Sequence, residues 1–467
     1  MKADIVLVLS DQHSGLFPQL PGGDGTPFLN RLGRQGMVFS RAYCNAPLCV
    51  PSRCSFLTGR LPHSTGIFDN DSVLPEDVPT LAHAMALAGY ETVLAGRMHF
   101  KGSDQNHGFS RRLVGDITTQ YWGTKRQDLG DFAGSLQAAS CQKVAGCGSS
   151  PVSAYDEAVT LAALNELSSP HSKPLFLVVG LYAPHFPYVA SQEAFLESIR
   201  EEEDVRDLSW PSFSCYRDLV QPSTPERLHL IRTAYRAAIR ELDSRVERIY
   251  QAYRAQSPKG VFLYLSDHGD QLGCRGLFGK KTMYEPSVRV PLILEDGVHH
   301  GVCREAVSLI DVTQTLLDYA DARLPGCQGV SLFSKNRPPV RIESMLDDGS
   351  ALIQAAIQED KKLLRLPEKD ILCCWDTDPR EETDFSPVYP QDTVALSRSL
   401  LPPEQVQPCL ENYRQHRQHT DLLKAWGRLH PRQEPARFAI PPESVRREDP
   451  YYGQLWLGKN NSTGDTQ

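Results

Sequence analysis

The sequence contains no apolar run approaching the roughly 18 to 20 residues needed to cross a bilayer, so no membrane-spanning segment is expected. It contains no Cys-x-x-Cys pair, and its twelve cysteines are scattered over 467 residues. That spacing excludes a structural zinc site and a disulfide scaffold, and predicts mostly buried, reduced thiols. Long runs of one charge are also missing: 49 basic against 57 acidic residues leave a net charge of −8. This argues against a nucleic-acid stripe or a polybasic membrane patch. The N-terminal "MKADIVLVLSD" lacks a small-residue cleavage site, and its apolar part is only Ile5 to Leu9, which predicts a first strand and a cytoplasmic protein. Small molecules or a second copy of the chain are the expected partners, and the tail aromatics Tyr451, Tyr452 and Trp456, with Leu455, are available to a homo-oligomer interface or to the fold's own interior.

What is present alternates. Continuous apolar runs at Ile5 to Leu9, Thr92 to Ala95, Leu175 to Leu181 and Val261 to Leu265 predict buried parallel strands. Helical patterns run from Thr26-Pro27 to Gly36, from Pro79 to Ala88, from Ala154 to Leu167, and from Pro225 to Gln256. Alternation of this kind predicts an α/β fold, a large mostly parallel sheet with helices on both faces. The length exceeds what one core usually supports. A catalytic domain over 1–338 is expected, followed by a smaller C-terminal α+β subdomain with a polar tail over 339–467, where "RIESM", "ALIQAAIQ" and "KKLLRL" read as short strands.

In such sheets ligands gather beyond the carboxyl ends of the strands. Each predicted strand delivers reactive residue types there: Ser10-Asp11-Gln12-His13, Gly96-Arg97-Met98-His99, Ala183-Pro184-His185 and Ser266-Asp267-His268-Gly269-Asp270. One polar residue after a strand is usually a turn former, but four such clusters converge on one edge and predict a site.

The segment "PLCVPSRCSFLTGR" places Cys49 two residues before Pro51, a residue favoured in the first turn of a helix. The free N–H groups of such a terminus favour negative charge, and Arg53 adds a fixed cation. A buried inert thiol and a reactive thiolate both satisfy these facts. Beyond them, Cys49-Val50-Pro51-Ser52-Arg53 followed by Leu57-Thr58-Gly59-Arg60 resembles the sulfatase signature. The resemblance extends through "GRMHF", "APHFPY", "SDHGDQLG", "GKKTMYE" and "CCWDTDPREETDF".

The resemblance implies an alkaline phosphatase-like fold and conversion of Cys49, by a formylglycine-generating maturation enzyme, into formylglycine, an aldehyde that is hydrated to a diol. It assigns Asp11, Gln12, Asp267 and His268, with the modified Cys49, to one divalent cation. Oxygen-rich ligands point to calcium, with manganese or magnesium as alternatives, the histidine nitrogen favouring manganese. One diol hydroxyl attacks sulfur, and the second allows the aldehyde to re-form and expel sulfate, which a serine could not do. His185 and Lys280 then assist the leaving group, His185 as general acid, and His99 takes the proton of the second hydroxyl. Asn70 and Arg97 match positions that bind the sulfate or the diol, while the nearby Trp122, with Tyr121, suits a box for a quaternary ammonium, a stacking face for a sugar, or the core.

Gln12 stands where many sulfatases have aspartate, and His268 where many have asparagine, a combination similar to the branch containing choline sulfatases and phosphonate monoester hydrolases. Arg97 replaces the usual lysine, and Cys274-Arg275 a common Glu-His pair. The expected reaction is hydrolysis of a small sulfate ester, a sulfated saccharide in preference to choline-O-sulfate or an aryl sulfate. Phosphonate or phosphate diester hydrolysis is the alternative chemistry, and an inactive binding homologue the alternative outside enzymes.

Overall fold

A computed structural model describes residues 2–16, 25–125, 127, 142, 144–199, 206–209 and 212–441; the tail aromatics lie outside them. The centre is a nine-stranded sheet. Across it run Gly301–Ser308, Met37–Tyr43, Leu292–Glu295, Val261–Ser266, Ile5–Asp11, Leu175–Pro184, Glu91–Gly96 and Arg111–Val114, with the short Arg289–Val290 strand beside Met37–Tyr43. Neighbours are parallel except at Leu292–Glu295 and Arg289–Val290.

Successive side chains of a strand point to opposite faces, and the first strand shows the consequence. Ile5, Leu7 and Leu9 join one apolar cluster with Phe56, Met85 and Leu316, while Val6 and Val8 join another with Leu32, Val159 and Val246. Helices Cys49–Thr58, Leu81–Leu87 and Leu309–Ala320 therefore cover one face, and Pro27–Gln35, Pro151–Leu167 and Pro225–Gln256 the other. No described helix is long and apolar enough to cross a membrane.

The four predicted strands are present, and the helix over Pro225–Gln256 has the predicted ends, with the Thr224 side chain accepting the Arg227 N–H. The helix predicted from Pro79 begins at Leu81, because Thr80 occupies its N-cap. Strands Met37–Tyr43 and Gly301–Ser308 escaped the pattern. Polar residues interrupt them, and the outer strand carries exposed Arg304 and Glu305 rather than a continuous apolar run.

From Val340 the chain forms a four-stranded antiparallel sheet, Val340–Met345, Leu352–Gln358, Lys361–Arg365 and Asp370–Cys374. Its Ile342, Ile353, Ala355 and Leu364 share the apolar cluster of the large sheet. Helices Pro390–Ser397 and Pro403–Leu429 follow where only a polar, proline-containing stretch is legible in the sequence. The longer helix buries few side chains, among them Leu410 and Tyr413, so its apolar period is faint.

A buried charge cluster joins the two sheets. Lys362 Nζ lies 2.8 Å from Glu285 Oε1, also pairs with Glu381, and donates to the Met283 carbonyl at 2.9 Å. Removing the cation alone leaves Glu381 buried beside Glu285 with only the more distant Arg289, 3.6 Å from Glu285, to offset them, and breaking a buried pair in this way costs about 3 to 5 kcal/mol. Lys362→Met should lose stability of that order in denaturant titration. Adding Glu285→Gln and Glu381→Gln to it should restore part; a loss below about 1 kcal/mol for the single variant would contradict the assignment.

Candidate active site

The carboxyl ends of the parallel strands meet the N-terminus of helix Cys49–Thr58. Asp11 ends the central strand and Asp267 follows its neighbour, with Ser10 and Ser266 in register. Arg97 and His99 follow Glu91–Gly96, and His185 follows Leu175–Pro184. Gly180 is required here: a Cβ on it would stand 1.9 Å from the Arg97 carbonyl oxygen. Gln12 and His99 hold left-handed backbone, φ 72° and 59°, a conformation that side-chain-bearing residues adopt only where surrounding structure enforces it.

Arg53, one helical turn after Cys49, is 1% exposed and fully engaged. Its Nε donates to Asp267 Oδ2 at 2.8 Å, Nη2 to Asp11 Oδ2 at 3.0 Å, and Nη1 to the Arg97 carbonyl at 2.9 Å. Arg97 Nε also donates to Asp11 Oδ2, its Nη1 to Asp116 Oδ1 at 3.1 Å, and its guanidinium lies 3.9 Å from the Tyr182 ring centre. One oxygen of each carboxylate is thus held by arginine. Burial alone would raise the Asp11 carboxyl; Arg97, then Lys280 and Arg53, outweigh it and hold it well below the usual carboxylate range.

Asp11, Cys49, Asp267 and His268 each offer a ligand atom, all within 4.8 Å of one another. Asp267 Oδ1 is positioned by the Gln12 and His268 N–H groups at 3.0 and 2.9 Å. His268 Nδ1 faces the Gly269 carbonyl at 3.0 Å, which places the proton on Nδ1 and leaves a lone pair on Nε2. Burial holds this histidine neutral, its pKa lowered to about 4. Gln12 Nε2 donates to Asp270 Oδ2 at 2.5 Å, while the buried Gln12 Oε1 has no partner. An orphaned carbonyl oxygen, two carboxylate oxygens and a bare imidazole nitrogen suit a hard divalent cation.

Cys49 opens its helix and is 1% exposed. Its Sγ lies 2.9 Å from Lys280 Nζ, 3.3 Å from His268 Nε2 and 3.7 Å from Asp11 Oδ1. Burial, then Asp11, push the thiol up, with Lys280 a partial offset. The site therefore disfavours a thiolate, the form in which cysteine itself attacks. Lys281 instead pairs with Asp347 at 2.7 Å.

A cavity of about 800 Å³ opens in front of Cys49, lined by Arg97, His99, His185 and Lys280 among others. Asn70 and Trp122 also line it, but Asn70 Oδ1 is used by the Val50 N–H at 3.0 Å, and Trp122 Nε1 by the Asp71 carbonyl at 3.0 Å. Arg53 is absent from the lining, so it braces the ligand carboxylates without reaching the cavity. Cys274 and Arg275 also lie off the cavity, Arg275 stacking over the Tyr284 ring at 4.3 Å.

Asp116 has no counterpart in the sequence reading. It follows strand Arg111–Val114 and holds both Arg97 and the His99 N–H, the latter at 3.0 Å. The strand-end rule would have found it, but that strand is short and arginine-rich.

Residues 3–322 match the family model described as Sulfatase. A choline-sulfatase of Rhizobium meliloti (strain 1021) is 33% identical over 446 residues, covering 85% of each chain. Arylsulfatase K of Xenopus laevis is 27% identical over 364 residues, 71% of this chain and 65% of that protein. Among solved structures, one in complex with its substrate D-glucosamine-2-N,6-O-disulfate superposes with a TM-score of 0.69 at 19% identity, covering 88% of this chain and 99% of the other. The phosphonate monoester hydrolase of Agrobacterium radiobacter gives 0.69 at 18% identity, covering 85% and 94%. At these identities the structural matches establish the fold alone, the alkaline phosphatase-like one.

The orphaned Gln12 oxygen yields a test. In chelator-stripped protein, Gln12→Leu should weaken divalent-cation binding, titrated with calcium, manganese and magnesium in turn, by about tenfold or more in calorimetry for whichever ion binds, the worth of one good ligand at roughly 1.4 kcal/mol per decade. Unchanged affinity would remove Gln12 from the ligand set.

Proposed function

The chain belongs to the sulfatase family of sulfuric ester hydrolases, and on that premise we propose that it hydrolyses the sulfate ester of a small saccharide after Cys49 has been converted to formylglycine. The observation that carries the reading is the setting of Cys49, at a helix N-terminus, in contact with Lys280 and among the candidate cation ligands. A maturation enzyme must supply the aldehyde, and its hydrate provides the attacking oxygen together with a second hydroxyl that lets the sulfate leave. A divalent cation, calcium in this proposal, supplies charge to draw the sulfate oxygens toward that nucleophile. Cys44, Cys54 and Cys373 are buried thiols outside any disulfide, which accords with a reducing compartment such as the cytoplasm.

The chain's own residues account for the rest. Lys280 and the helix N-terminus offset negative charge developing on the sulfuryl oxygens. His185 Nδ1 faces the Phe186 carbonyl at 2.7 Å, so its proton sits there and Nε2 is left for the cavity. Burial, then Lys280, hold this ring neutral in the free protein. A docking sulfate favours the imidazolium, which then gives its Nε2 proton to the departing alcohol oxygen.

The saccharide is favoured by the far wall. Lys424, from helix Pro403–Leu429, pairs with Asp71 at 2.6 Å beside Trp122, and Arg428 also lines the cavity. A quaternary ammonium meeting Trp122 would face these cations, whereas a hydroxylated ring stacks on the indole and hydrogen-bonds to both charge signs.

A panel of sulfated monosaccharides and disaccharides, choline-O-sulfate, an aryl sulfate and the matching aryl phosphodiester, run with matured protein, tests the reading. Sulfated saccharide should have the highest kcat/KM; turnover of choline-O-sulfate alone, or of the phosphodiester in preference to the sulfate, would overturn it. His185→Ala should lower kcat about 10²- to 10⁴-fold for an alkyl sulfate and far less for an aryl sulfate, whose leaving group needs no proton. Equal losses would remove His185 as the acid.

A further inference from the structure

The two histidines that line the cavity have opposite hydrogen-bond partners. His185 Nδ1 meets a carbonyl, so it must be the donor. His99 Nδ1 meets Arg97 Nη2 at 3.0 Å, and a guanidinium has protons to give and no lone pair to receive one. Nδ1 of His99 is therefore the acceptor, and the proton of the neutral ring sits on Nε2.

Nothing lets Arg97 swing away. Asp11 holds its Nε, Asp116 its Nη1, and the Tyr182 ring its face. Asp116 also fixes the His99 backbone through its N–H, so one carboxylate aligns both partners. Arg97, Lys101 and Arg53 surround the His99 ring with positive charge, against the carboxylates of Asp11 and, at its backbone, Asp116. Protonating Nδ1 would set two donors against each other inside this buried cluster.

We propose that Arg97, braced by Asp116, fixes His99 as the Nε2–H tautomer, so that His99 donates a hydrogen bond to an oxygen at the reacting centre and does not accept a proton there. This reverses the role that the sequence resemblance implies for His99. Arg97 is then a positioning residue rather than a direct substrate contact. The departure from the family's usual lysine at Arg97 explains why: a lysine ammonium lacks the forked geometry that serves Asp11, Asp116 and His99 at once. His185, neutral again once it has given its Nε2 proton to the leaving oxygen, is the cavity histidine whose Nε2 lone pair can take the proton of the second hydroxyl.

The inference concerns the site of the proposed reaction, but its first test needs no activity. Protein labelled with ¹⁵N-histidine, with the His99 signals identified by their loss in His99→Gln, should show a protonated Nε2 and an unprotonated Nδ1 at neutral pH. Arg97→Lys should alter that pattern. A protonated Nδ1 with a bare Nε2 in the wild type would overturn the proposal. The second test is kinetic and uses matured protein with an aryl sulfate. Glutamine places an amide donor where Nε2–H was and cannot take a proton. His99→Gln should stay within about tenfold of wild-type kcat, roughly 1.4 kcal/mol, with an unchanged pH profile. His99→Ala should lose about 10²- to 10³-fold, the worth of one donor at a developing negative charge. If His99→Gln falls as far as His99→Ala and one limb of the pH profile disappears, His99 is a base and the proposal fails. Wild-type protein that hydrolyses no sulfate ester would count against the proposed function while leaving the tautomer decided by the labelled spectrum.

Discussion

Two carboxylates at the ends of adjacent strands, Asp11 and Asp267, are buried side by side, and one guanidinium, that of Arg53, bridges them. It offsets the repulsion between these like charges, and Arg97 and Lys280 add their own positive charge at Asp11. Arg53 lies one helical turn from Cys49, so the ion pair that makes the carboxylates tolerable also fixes where the helix begins. The location of Cys49, the aim of the helix N-terminus and the geometry of the cation ligands follow from that one constraint. Arg97 extends it by binding the same Asp11 oxygen and reaching outward to Asp116 and His99.

The arrangement separates two kinds of cation. Arg53 and Arg97 are permanently charged, buried and committed to carboxylates, while Lys280 reaches Cys49 Sγ from the cavity side. A planar fork suits the first task and a flexible point charge the second. The raised pKa of the Cys49 thiol belongs to the same logic: burial, then the Asp11 carboxylate beside it, make the pocket hostile to a thiolate.

Much of this was legible in the sequence. The strand ends could be read because parallel strands are continuous apolar runs and their carboxyl ends are where reactive residues accumulate. Asp11, Asp267, His268, Cys49, His185 and Lys280 lie together at those strand ends, with Lys280 against Cys49 and Lys281 paired with Asp347. Which way a conserved-type arginine points was not legible. In one dimension Arg53 reads as a fixed cation at the helix N-terminus and Arg97 as a substrate ligand; in three both clamp carboxylates, because their partners follow other strands. Asp116 was hidden behind a short strand, and the far cavity wall behind helix Pro403–Leu429, whose polar composition gives little amphipathic signal.

The central claim is that the assembled site works through an oxygen on residue 49 and not through sulfur. Peptide mass spectrometry across residues 42–60, on protein produced with and without a formylglycine-generating enzyme, measures the fraction of Cys49 carried as aldehyde, and sulfate-ester turnover is then read on the same samples. Turnover should scale with the aldehyde fraction and vanish where only thiol is found. Full turnover from protein whose Cys49 is entirely thiol would contradict the account.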